Sequence, residues 1–272
     1  MSDVKLTKIE EAFAQMENGA ETYKELRQRG ASALHLAAFA GVVAVLKKAA
    51  PANEAQGDLF GSAWSADDRG NGVAHYAVEG KKVGALKDAL VIGGVEEANR
   101  VNALGRSPLH YAAMLQDEQA VKTLLENGAD VEIRNRDGDT PLHNAVWAGS
   151  ETIAKLILSH NADVVNAPNG NGATPLMIAA QLGDETMTKT LIENGANIKA
   201  LDVKGKSALH YAEEYSTNSM ATLLEKLGAN PDVEDLRGKS PYDYRSLREK
   251  DARKDAAQMG FARNLRAQRT SI

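Results

Sequence analysis

The sequence predicts an all-α repeat solenoid. Three observations point there. A short motif recurs along most of the chain at a nearly constant step. Each period also holds two apolar segments with helical spacing. Finally, small residues, alanine above all, dominate the apolar content, and aromatics are only 5% of the 272 residues. Side chains this small suit helices that pack closely.

The motif copies are Ser107-Pro108-Leu109-His110-Tyr111-Ala112-Ala113, Thr140-Pro141-Leu142-His143-Asn144-Ala145, Thr174-Pro175-Leu176-Met177-Ile178-Ala179-Ala180 and Ser207-Ala208-Leu209-His210-Tyr211-Ala212. Looser copies start at Ser32 and Gly72, and Ser240-Pro241 opens a truncated one. The histidine or its equivalent falls at 35, 75, 110, 143, 177 and 210, giving steps of 40, 35, 33, 34 and 33. Ser or Thr before Pro reads as a helix start, with the hydroxyl capping free N–H groups and Pro at the first helical position. Gly128, Gly195 and Gly228 stand where a helix end favours a left-handed residue, and Asn161 takes that place once. Gly-rich turns such as Asp137-Gly138-Asp139 close each unit.

This pattern resembles the ankyrin-repeat family, with its 33-residue period and T-P-L-H-x-A signature. The resemblance implies a stack of helix-turn-helix units with β-hairpin turn tips, over residues 1–247. An N-terminal cap of residues 4–28 comes first, with Ile9, Phe13 and Met16 on one helical stripe. Repeats then cover about 29–66, 67–101, 102–134, 135–167, 168–201 and 202–234, and a C-terminal cap covers 235–247. Residues 50–66 form an insert in the first connection. Residues 248–272 are a basic, helix-prone tail with Arg263, Arg266 and Arg269 at three-residue spacing beside Phe261 and Leu265.

Composition narrows the function classes. There is no cysteine, so disulfides and cysteine metal sites are excluded. No apolar run is long enough to span a membrane, and no signal-peptide core follows Met1, so a cytoplasmic protein is expected. From Asp235 to Ile272 ten Lys+Arg meet five Asp+Glu, net +5, which leaves −10 on the rest. That acidic body disfavours nucleic acid, although the tail is a possible contact.

Catalytic signatures are missing. Gly205-Lys206-Ser207 and Gly238-Lys239-Ser240 lack the upstream glycine of a phosphate loop, since Ala200 and Val233 stand there. Gly170-Asn171-Gly172 starts like a dinucleotide fingerprint, but Pro175 occupies the third glycine's place. The marker histidines stand one repeat apart, too far to share a metal. No catalytic residue, cofactor, metal or small-molecule substrate is expected. The family resemblance implies that each marker histidine bonds to the neighbouring turn and that Met177 loses one such bond.

The resemblance also implies a protein partner on the concave face formed by the first helices and turn tips. The residues placed there are Phe39, Glu79, Met114, Leu115, Trp147, Gln181, Leu182, Glu214 and Tyr215, with Arg134 and Arg136 on the turn tips. Large apolar side chains at these positions either pack on a neighbouring repeat or face the partner, and the size of Trp147 favours the partner. A scaffold, an inhibitor or immunity protein blocking one enzyme, and a bacterial effector are equally compatible with this surface.

Overall fold

A computed structural model describes residues 3–16, 18–41, 66–216 and 218–250. The insert up to residue 65, the segment after Gly41 and the tail from 251, including Arg263, Arg266, Arg269, Phe261 and Leu265, lie outside the described residues. The chain divides into two compact units, residues 1–170 and 171–272. The division falls inside the expected repeat 168–201.

Unit 1 begins with α1 (Asp3–Ala14) and α2 (Gly19–Gln28). Then come α3 (Ala33–Ala40), α4 (Val73–Glu79), α5 (Val83–Ala98), α6 (Pro108–Met114), α7 (Glu118–Glu126), α8 (Pro141–Trp147) and α9 (Glu151–His160). The N-terminal cap is therefore two helices where one stripe was expected. Asn18 is left-handed, and a Cβ on Gly19 would sit 1.7 Å from the Phe13 carbonyl oxygen. Ile9 and Phe13 are buried, whereas Met16 lies beyond the end of α1 and is half-buried.

The short first helices α3, α4, α6 and α8 pack in a row, and the second helices α5, α7 and α9 form another beside it. Their contact is lined by fully buried alanines, among them Ala37, Ala38, Ala112, Ala113 and Ala145. Close approach is what a small side chain permits, and interior packing leaves no slack for a larger one. Unit 2 repeats the plan with α10 (Pro175–Leu182) against α12 (Ala208–Tyr215), each followed by a second helix, α11 (Glu185–Glu193) and α13 (Asn218–Lys226). Residues 241–250 are helical and close the unit. No described residue is in a β-strand.

The turn tips are hairpin turns, and those at 67–71, 102–106, 135–139, 202–206 and 235–239 are closed by a backbone bond, as in Asn102 N–H to Arg106 O at 3.0 Å and Asp202 N–H to Lys206 O at 2.9 Å. One further bond links each tip to the next. Within unit 1 these are Ala103 N–H to Arg69 O (2.8 Å), Arg136 N–H to Leu104 O (2.9 Å) and Gly170 N–H to Asp137 O (2.8 Å). Within unit 2, Val203 N–H reaches Asn171 O and Leu236 N–H reaches Lys204 O.

Helix starts differ from the simple hydroxyl cap. The backbone N–H of each cap residue donates to the Nδ1 of the histidine three positions on: 3.1 Å for Ser107 to His110 and for Thr140 to His143, and 3.0 Å for Ser207 to His210. The cap hydroxyl lies 2.9 Å from the same nitrogen. Since Nδ1 accepts, Nε2 carries the proton. It donates across to the next turn, from His75 to Arg106 O (2.9 Å), His110 to Asp139 O (3.0 Å) and His210 to Lys239 O (3.1 Å). At Ser240 the same role falls to Asp243, which accepts from both the N–H and the hydroxyl. Gly128, Gly195 and Gly228 are left-handed as expected. Asn161 is not: its φ of −149° is extended, and the chain continues into a 3₁₀ turn, Ala162–Asn166, capped by the Asn161 side chain.

A second anchor recurs. Asp67, Asp202 and Asp235 each begin a turn, accept two of its backbone N–H groups and take the hydroxyl of a tyrosine nine residues later: Tyr76 (2.7 Å), Tyr211 (2.8 Å) and Tyr244 (2.5 Å). Burial pushes the Asp235 carboxyl up, but the Tyr244 hydroxyl and the Lys239 and Arg237 N–H groups outweigh it and hold it at about 2. The helix at 241–250 is clamped by Arg245, which donates to the fully buried Glu213.

Candidate partner-binding surface

Each first helix ends within a few residues of its marker histidine, so the side chains four and five positions past it emerge at the helix end. In unit 1 this places Met114 and Trp147 at the last residues of α6 and α8, with Leu115 next to Met114. They are 42%, 47% and 38% exposed. In unit 2, Leu182 (45%) and Tyr215 (55%) end α10 and α12. Large apolar side chains left this open recur at the same position of the repeat in both units.

The remaining expected residues are more committed. Phe39 is half-buried and stacks on Phe13, with ring centroids 5.8 Å apart, so it serves the N-terminal cap. Glu79 is half-buried and paired with Arg29 at 3.2 Å. Glu214 is held by Lys206, which also sits 4.2 Å over the Tyr244 ring. Gln181 is half-buried. Arg134 is exposed, but its guanidinium bridges the carbonyls of Gly138 and Pro168, fastening two turns. Arg136 is exposed at its tip.

Two features escaped the sequence reading. Apolar residues also occupy the turn tips: Leu104 in unit 1, and Leu201, Val203 and Leu236 in unit 2, all exposed. In addition, Arg106 lines a shallow groove of about 320 Å³ with Met114 and Trp147. The signal for Arg106 was available. The residue before each helix cap forms its own column (Asn71, Arg106, Asp139, Ala173, Lys206, Lys239), the position from which Arg106 lies beside Met114 and Trp147 and Lys206 reaches Glu214.

The chemistry of the histidines is structural. Burial lowers His35, His75 and His110 to about 4, so the rings are neutral; all three accept from their helix starts, and His75 and His110 also donate to the next turn. Among the described residues, no group of three His, Cys, Asp or Glu side chains is arranged to hold a metal. No described helix is long and apolar enough to cross a membrane.

Comparison with known proteins agrees with this architecture. A family profile described as ankyrin repeats (3 copies) matches residues 74–167 and 161–235. Human neurogenic locus notch homolog protein 1 is 35% identical over 128 residues, covering 47% of this chain and 5% of that protein. The rat nuclear factor NF-kappa-B p105 subunit is 32% identical over 110 residues, 38% of this chain and 11% of its own length. The chain thus spans only a small part of these relatives. Among solved structures, the ankyrin repeat domain of Bcl-3, described as a unique member of the IkappaB protein family, aligns with a TM-score of 0.66 and 25% identity, covering 76% of this chain and 91% of that one. Ankyrin repeats generally mediate protein–protein interaction. Matched over more than half its length, and built from capped helix pairs joined by hydrogen-bonded turns, the chain belongs to the ankyrin-repeat family.

Proposed function

We propose that this chain is a non-enzymatic module that binds a partner protein through the exposed ends of its first helices, the face that is concave in the family. The observation that carries the reading is the exposure of Met114, Leu115 and Trp147 on one unit and of Leu182 and Tyr215 on the other. Trp and Tyr are frequent anchors of interfaces, and Met adapts to an irregular partner. The non-enzymatic part rests on how the titratable groups are spent. The marker histidines stabilise helix starts, and Asp67, Asp202, Asp235, Glu97 and Glu213 each satisfy backbone, tyrosine or arginine donors.

The test compares the full chain with a Met114→Ser/Trp147→Ser/Leu182→Ser variant as bait in lysate of the source cells. Circular dichroism checks the fold of both. A protein retained at near-stoichiometric yield by the wild type should fall at least tenfold on the variant. Equal retention by both folded baits would remove the first-helix face from the function.

A further inference from the structure

The groove on unit 1 carries an unmet charge. Arg106, Met114 and Trp147 line it together with Asn135, Asp139 and Asn144. Arg106 is half-buried, its Nε is buried without a hydrogen-bond partner, and its guanidinium forms no ion pair among the described residues. Neither nearby carboxylate pairs with it. Glu79 is taken by Arg29, and the Asp139 carboxylate accepts from Asn169 Nδ2 at 2.9 Å. A guanidinium drawn partly out of water and left unpaired beside two open apolar side chains is an incomplete site.

We propose that this groove receives a peptide segment of the partner in which an acidic side chain stands next to a large apolar one. The carboxylate pairs with the planar fork of Arg106, a geometry that guanidinium matches better than ammonium does. The apolar side chain lies on Trp147 and Met114. A polyanion is a poor occupant, because one guanidinium on an acidic body offers it little attraction. The inference rests on the binding face proposed above and adds to it the chemistry of the occupant.

A displayed library of random linear peptides, panned on the full-length chain, tests it. Arg106→Gln, Arg106→Glu and Trp147→Ser variants, each checked for folding by circular dichroism, serve as comparators. The expected outcome is enrichment of peptides with Asp or Glu adjacent to an aromatic or long aliphatic residue. Their affinity should fall about tenfold on Arg106→Gln and be lost on Trp147→Ser. Panning on Arg106→Glu should replace the acidic position with Lys or Arg. Peptides that need Trp147 but show no acidic position and ignore Arg106→Gln would overturn the charge pairing while leaving the binding face in place. Peptides indifferent to Trp147→Ser would overturn both. Failure to enrich any peptide would overturn the groove as a peptide site, with the bait comparison above still deciding the face.

Discussion

At the scale of single residues, the marker column shows how one side chain links two repeats. His75, His110 and His210 each bond their own helix start through Nδ1 and the following turn through Nε2. Met177 interrupts the column in unit 2. Its sulfur accepts from Thr174 N–H at 3.5 Å, so the helix-start bond survives in weakened form, but a thioether has no N–H to donate to the next turn. The cost appears one atom away, where the buried Thr174 Oγ1 has no partner among the described residues. Met177→His offers Nδ1 to Thr174 and Nε2–H to the Lys206 carbonyl, the counterpart of the His210–Lys239 bond. Satisfying a buried hydroxyl and adding a bond outweighs the lost methionine contacts, so the variant should be stabilised by about 1 kcal/mol in urea unfolding. Destabilisation of that size would mean the ring does not fit where Met177 packs.

At the scale of the elements, the turn joining first to second helix tells a similar story. The residue six past each marker is Gly41, Lys81, Gln116, Gly149, Gly183 and Ser216. The three glycines are left-handed, and Lys81 (φ 52°) and Gln116 (φ 55°) adopt the same conformation at a steric cost. Lys81→Gly should therefore raise stability by about 0.5–1 kcal/mol, the strain relieved less the chain entropy of glycine. Gln116→Gly should be nearer neutral, because Gln116 Nε2 also bonds the Ala148 carbonyl at 2.7 Å. Paired denaturation curves of the two variants separate strain from hydrogen bonding. The element pattern was largely legible because periodicity, Ser/Thr-Pro starts and helix-end glycines all report local geometry. The break at residues 15–18 was less so, because Ile9, Phe13 and Met16 keep helical spacing straight through it. Nor did sequence reveal the second-helix caps, where Asp117, Ser150 and Asp184 accept from N–H groups three residues on. The exposed apolar positions at the first-helix ends were legible by counting from the histidines. Arg106 was missed, although its column before the helix caps could have been counted the same way, since an arginine in a turn looks solvated until its neighbours are known.

At the scale of the whole molecule, the same histidines tie stability to pH. Burial keeps His35, His75 and His110 near 4 and lowers His210, against about 6.5 in an unfolded chain. Between these values the unfolded chain binds protons that the folded chain refuses. Stability therefore rises with pH across the interval: it is complete above about 6.5 and is lost as pH falls toward 4. Protonation does more than charge a buried ring, because a proton on Nδ1 turns the acceptor of the helix-cap N–H into a second donor. Two turn carboxylates do not share this range, since Asp67 is held below its usual value and Asp235 near 2 by tyrosine and backbone donors, so both remain ionised at pH 5. By pH 5 each of the three most depressed histidines should have withdrawn on the order of 1–2 kcal/mol. Thermal melts at pH 7, 6 and 5 should show a progressive fall in Tm, with no cysteine present to add redox effects. Replacing His110 with Gln, which retains a donor and an acceptor but does not titrate, should lower Tm at pH 7 and flatten the slope between pH 7 and 5. A wild-type Tm unchanged over that range would show that the rings are not held neutral, and with that the role of Nδ1 as the acceptor at each helix start would fail.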